Sequence, residues 1–90
     1  MNVFTMRMWT ININGKHVAV LVPNRVSETD YVFVTYEQII KLAGFKEGST
    51  PSMLYSRGGD AKRPSGAPLP GGVIAIQDGT IFSVVFTGNA

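Results

Sequence analysis

Asn14-Gly15 stands between two runs of alternating polarity, residues 8–13 and 16–22. This dipeptide is the strongest short signal for a β-hairpin, because both residues of a tight two-residue turn need positive φ. The turn fixes the pairing: Ile13 opposite Lys16, Ile11 opposite Val18, Trp9 opposite Val20. Trp9, Ile11, Val18 and Val20 then share one face, and Thr10, Asn12, His17 and Ala19 share the other. A slip of one residue would turn the apolar set outward, so the register is tightly specified.

Pro23 closes the second strand, and residues 24–30 read as a polar connection. Residues 31–34, Tyr-Val-Phe-Val, read as a short apolar lead-in. Thr35-Tyr36-Glu37-Gln38 fits a capping box, with Val34 and Ile39 placed as a hydrophobic staple. Tyr36, Ile39, Ile40 and Ala43 recur at one-face helical spacing, and Gly44 is a natural stop, which predicts a helix over residues 36–43.

Pro51 precedes a third strand at residues 52–57. Residues 58–72 hold five Gly and three Pro, which predicts a long irregular loop. Val73–Ile76 is a short strand, Asp78-Gly79 turns the chain, and residues 80–87 form the last strand, with Phe82, Val84 and Phe86 expected in the core. A single helix after a hairpin covers one face of a sheet, and a right-handed connection places the first and last strands side by side. The expected class is α+β, a mixed four- to five-stranded sheet with one helix packed across it.

Ninety residues make one domain with one modest core. The 44 % hydrophobic and 16 % charged content speaks against disorder. The absence of cysteine excludes a disulfide framework, a thiolate metal site and a catalytic thiol. No apolar run approaches the roughly 20 residues of a membrane span. Residues 1–7 read as a leader or as an extension of the first strand, without signal-peptide architecture, so a cytoplasmic protein is expected. The basic residues are scattered around a net charge of +2, without the stripe of a nucleic-acid binder.

The candidate sites are few. Residues 58–66 are Gly-rich but lack the Gly-Lys-Ser/Thr ending of a phosphate loop, and Pro64 removes an N–H donor. His17, the only histidine, has no Asp, Glu or His cluster beside it, and reads as a solvated strand residue. No catalytic, metal or cofactor set can be assembled. Met53 and Tyr55 alternate with Leu54; with Leu54 inward, Met53 and Tyr55 join Ala19, and with them Ile81 and Val85, in an apolar face that is either open to a partner or covered by the loop of residues 58–72. The last strand runs into Gly88-Asn89-Ala90, an uncharged tip from residue 88 to 90 that could present a carboxylate to another protein's active site.

Several segments carry a resemblance. They are Ile11-Asn12-Ile13-Asn14-Gly15-Lys16, the run from Val34 through Gly44, Tyr55-Ser56-Arg57-Gly58, Pro64-x-Gly66-x-x-Leu69-x-x-Gly72, and Ile74-x-Ile76-x-Asp78-Gly79-x-Ile81-Phe82-Ser83-Val84. In this order and with these gaps they span nearly all of residues 8–87. The chain resembles a ubiquitin-like β-grasp domain. More narrowly, it resembles the bacterial multiubiquitin-domain family, whose members are encoded beside activating, conjugating and peptidase proteins in bacterial ubiquitination-like operons.

The resemblance implies a protein modifier. An activating enzyme adenylates the modifier's C-terminal carboxylate with ATP, and a conjugating protein passes it to a target. No catalytic residue or cofactor of the chain itself is required. Gly88 would supply a thin, extended tail. The sequence departs from eukaryotic ubiquitin in lacking a terminal Gly-Gly: it ends Gly88-Asn89-Ala90. A processing peptidase could trim Ala90 and leave Asn89 as the reactive terminus, trim to Gly88, or leave the end as it stands. Antiphage defence is the process that the family context suggests. The alternative is a non-covalent adaptor that binds partners through the sheet.

Overall fold

A computed structural model describes residues 5–24 and 30–86. Its elements are β1 (Met6–Ile13), β2 (Lys16–Pro23), β3 (Val32–Thr35), α1 (Tyr36–Leu42), β4 (Ser52–Ser56), β5 (Val73–Ile76) and β6 (Ile81–Val85). The class is α+β. Strands β2, β1, β6 and β4, in that order, form one sheet, while β3 and β5 pair in a separate two-stranded ribbon.

The hairpin has the register that the sequence dictates, from Ile13 opposite Lys16 to Met6 opposite Pro23. Asn14 and Gly15 take φ of 54° and 83°, the doubly left-handed turn that matches strand twist. Strand β1 begins at Met6, two residues earlier than the alternation suggests and inside the segment read as a leader or strand extension. Strand β6 runs parallel to β1, with Asn12 opposite Ile81 and Ile13 opposite Phe82, and antiparallel to β4.

The seam between β1 and β6 is short and is extended from both ends. Beyond the two register pairs, the Asn12 and Asn14 N–H groups donate to Thr80 O and Phe82 O. The Asn14 side chain then acts as one more peptide unit: Nδ2 donates to Val84 O at 2.9 Å and Oδ1 accepts from Val84 N at 2.8 Å. At the other end, Thr10 N donates to Asp78 Oδ1 and Gly79 N donates to Thr10 O.

Thr35 caps the helix as the sequence indicates: its hydroxyl accepts from Gln38 N, and Gln38 Oε1 accepts from Thr35 N. Replacing such a cap costs about 1 kcal/mol in general. Gly44 takes φ of 87° and the helix stops before it. The start of the helix is tied to the end of the long loop, because Tyr36 N donates to Gly72 O and Gly71 N donates to Glu37 Oε2.

The ribbon is a difference from the expected arrangement. Residues 32–35 are not merely a lead-in to the helix. Every residue of β3 pairs with one of β5, and Val32 and Val34 pack on the core beside Ile76 and Ile74. This pairing draws Val73–Ile76 out of the main sheet, which keeps four strands. The loop return that follows β4 seals one end of the ribbon. Gly59 N donates to Ala75 O, and the backbone lies so close that a Cβ on Gly59 would sit 2.2 Å from Tyr31 Cβ.

The core lies between the inner face of the sheet, the helix and the ribbon. It contains Ile11, Ile13, Met53, Phe82 and Val84 from the sheet, Tyr36, Ile39 and Ile40 from α1, and Ile74 and Ile76 from β5. Each fully buried apolar side chain of this size contributes about 1.5–3 kcal/mol of transfer free energy. Phe82 and Val84 point inward as expected, but Phe86 does not. It lies past the end of β6, where the last pair with β4 is Ser52 opposite Val85, and it is 57 % exposed.

Thr80 is buried completely, with its hydroxyl satisfied. It accepts from Gln77 N at 2.9 Å and lies within donating distance of Arg57 O and Gln77 O. One hydroxyl thus joins the β5–β6 turn to the end of β4.

Tyr36 does the same work on the opposite side of the core. Its hydroxyl donates to Pro51 O, linking the first turn of α1 to the residue before β4. Burial, reinforced by the neighbouring Glu37 carboxylate, raises its pKa above the ordinary value of 10.0. A raised folded-state pKa gives stability that is complete below the unfolded value and is lost as pH rises through the folded one. Tyr36→Phe is expected to cost about 1–2 kcal/mol at neutral pH, since Pro51 O loses its donor. The gap from the unmodified protein should narrow above pH 10.0. Urea unfolding at a series of alkaline pH values checks both statements.

Candidate functional site: the outer face of the sheet

Strand geometry decides which side chains face away from the helix. On β4 the inward residues are Met53, opposite Val84, and Tyr55, opposite Phe82. Met53 is 2 % exposed, and the Tyr55 ring is half-buried against Phe82 at a centroid distance of 6.1 Å. Leu54, between them, is 58 % exposed.

This reverses the expected parity. Met53 is buried on the core side, and Tyr55 is core-side with its ring half-buried at the edge beside Gly66, whereas Leu54 lies on the outer face. The reason is packing on both sides of Tyr55. Its main chain bridges to Gly66, with Tyr55 N donating to Gly66 O and Gly66 N donating to Tyr55 O. Its ring lies 3.0 Å from where a Gly66 Cβ would be. Residues 58–66 close over that edge of the ring and make the inward position the dry one. Met-Leu-Tyr has no polar residue to mark a face, so alternation alone is silent there.

The outer face carries two apolar groups. Leu54, Ile81 and Val85 form the first. Each faces a serine across the strand pair: Leu54 opposite Ser83, Ile81 opposite Ser56, Val85 opposite Ser52. Leu54 is therefore the diagonal neighbour of both Ile81 and Val85, about 7–8 Å from each in such a ladder, and joins two side chains that stand four residues apart on β6. Ile81 and Val85 face outward, as follows from the inward placement of Phe82 and Val84, but their neighbour is Leu54 instead of Met53 and Tyr55. A shallow depression beside it is lined by Leu54, Tyr55, Gly66, Ala67, Ile81 and Ser83.

Met6, Met8 and Leu21 form the second group, at the far end of the hairpin, with Met8 directly opposite Leu21 and Met6 opposite Pro23. The sequence held a signal for it: the outward set Thr10, Asn12, His17 and Ala19, extended outward along the two strands, reaches Met8 and Met6 on one and Leu21 on the other. Ala19 is exposed on the outer face as expected, but it sits opposite Thr10. It lies on β2, two strands away from β6, and does not adjoin Leu54.

Between the two groups lies a polar band. Asn12 is opposite His17, and Thr10 is held by Asp78. His17 is exposed, in agreement with a solvated strand residue. Among the described residues, no group of three or more His, Asp or Glu side chains is placed to hold a metal ion. No helix among them is long and apolar enough to cross a membrane. The tail residues Gly88, Asn89 and Ala90 lie outside the described residues.

Comparison of the chain with known protein families, with curated proteins and with solved structures finds no match in any of the three.

Alternating apolar and serine positions offer small dry contacts framed by hydroxyls. A pair of alanine substitutions tests the parity of β4. Met53→Ala should destabilise the fold by about 2–5 kcal/mol, as deletion of a buried side chain does. Leu54→Ala should stay within about 0.5 kcal/mol of the parent. Chemical denaturation of both variants reads the difference directly.

Proposed function

We propose that this chain is a ubiquitin-like β-grasp protein that acts as a protein modifier. The observation that carries the reading is the strand order β2-β1-β6-β4, with β6 parallel to β1 inside the sheet and one helix across its inner face. A hairpin, a helix and a returning central strand are the parts of a β-grasp domain. They occur in the sequence together with the segments that resemble the bacterial multiubiquitin-domain family.

In this proposal the chain supplies a carboxylate and a rigid body, and the partners supply the chemistry. The carboxylate attacks the α-phosphorus of ATP in an activating enzyme, forming an acyl adenylate and releasing pyrophosphate. The acyl group passes to a conjugating protein and then to a target. Gly88 and Asn89 form the conjugation tail, with removal of Ala90 by a processing peptidase as the preferred route to the reactive end. The two-sided anchoring of β6 by β1 and β4 supports the reading, because it gives the tail a fixed point of departure. The partners imply a cytoplasmic setting, and the chain itself needs no catalytic residue, metal or cofactor.

A second reading, a non-covalent adaptor, is favoured by the exposed group of Leu54, Ile81 and Val85 on the outer face. Fold alone does not choose between the two. Co-expression with activating, conjugating and peptidase proteins of a bacterial ubiquitination-like operon, followed by intact mass measurement, separates them. A chain cut after Thr87 should keep the parent melting temperature and lose all covalent adducts; normal adducts from that variant would end the modifier reading. Leu54→Arg should weaken a co-purifying partner at least about tenfold if the adaptor reading holds, because a charge then enters a dry contact. Unchanged binding would remove the site.

A further inference from the structure

We infer that Asn14 is a deamidation site whose reactivity is gated by strand β6. The reaction needs only water. The Gly15 amide nitrogen gives up its proton and attacks Asn14 Cγ; an N–Cγ bond forms, the Cγ–Nδ2 bond breaks, and ammonia leaves with the proton. Water then opens the cyclic imide at one carbonyl or the other, giving aspartate or isoaspartate. A glycine after the asparagine leaves the attacking nitrogen unshielded by a side chain, and Asn14-Gly15 meets that condition.

In the folded chain the two reacting groups are held apart by different partners. The Asn14 carboxamide is engaged at both ends by the main chain of Val84, at 2.9 and 2.8 Å. The Gly15 N–H donates to Asn12 Oδ1 at 2.8 Å. Asn14 Cγ cannot turn toward the Gly15 nitrogen while Val84 stays in place, and the nitrogen cannot aim at Cγ while it serves Asn12. Departure of β6 from the seam frees the carboxamide. The turn itself is exposed, so water has access once this happens.

The product does not fit back. Val84 O loses its donor and faces a carboxylate oxygen, an acceptor against an acceptor. Isoaspartate also lengthens the main chain within a turn whose two residues set the hairpin register. Each conversion is therefore a one-way record that β6 has left the sheet, and it weakens the return.

The test uses the intact chain, held at mildly alkaline pH and sampled over days. Conversion at Asn14 is read by peptide mass and by ion exchange. A synthetic peptide of residues 10–18 serves as the unstructured reference. The folded chain is expected to convert roughly tenfold more slowly, or slower still, since reaction waits on local opening. Urea below the global transition should accelerate it. Asn12→Ala, which frees only the Gly15 N–H, should raise the rate severalfold while the circular dichroism stays that of the parent. Asn14→Asp should melt at lower temperature than the parent. Equal rates in folded chain and peptide would overturn the proposal, as would an Asn14→Asp variant that melts with the parent.

Discussion

The fold hangs on the seam between β1 and β6. It joins the first hairpin to a strand seventy residues further along the chain, through two register pairs and the contacts that lengthen them. Without it, the hairpin is an isolated two-stranded unit, which is marginal at best in water. Strands β6 and β4 would be left as a second two-stranded pair. The core faces of β1, β6 and β4 become one surface only when this seam is closed. A single carboxamide therefore has a large share in it: Asn14 donates and accepts like a peptide group, at a position where β1 has already turned away.

The remaining order follows from satisfying polar groups at the margins of a small core. Tyr36 and Thr80 carry hydroxyls into the interior, and each lies within donating distance of a carbonyl next to β4. Together they pin both ends of that strand, from the helix side and from the β5–β6 turn. The long loop supplies the rest, through the bridge at Gly66 and the close approach at Gly59. Domains of this size have a thin net stability of several kcal/mol. The loss of one such tie is a substantial fraction of it.

Much of the architecture was legible where two independent signals coincided in the sequence. Asn14-Gly15 and the alternation on either side agree, so the hairpin register follows residue by residue. Thr35 and Gln38 agree with the apolar spacing of Tyr36, Ile39 and Ile40, so the helix follows as well. Legibility ended where apolar residues ran together. Met53-Leu54-Tyr55 offers no polar position to mark the outside, and the inward choice was made by a loop that closes over Tyr55 from Gly66, eleven residues further along. Residues 32–35 are four apolar or β-branched residues before a cap, and only their pairing with β5 distinguishes a strand from a lead-in. The outer face was visible in part: Ala19, Ile81 and Val85 are where alternation puts them, whereas Leu54 depended on the undecided parity.

The long reach of the seam has a consequence for synthesis. The hairpin, the helix and β4 are all synthesised before β6, and until β6 is available Ile11, Ile13 and Met53 have no β6 to pack against. The nascent chain carries an apolar sheet face open to solvent and to chaperones until seventy further residues follow the hairpin turn. Folding is then a single late event, in which a strand inserts between two waiting neighbours.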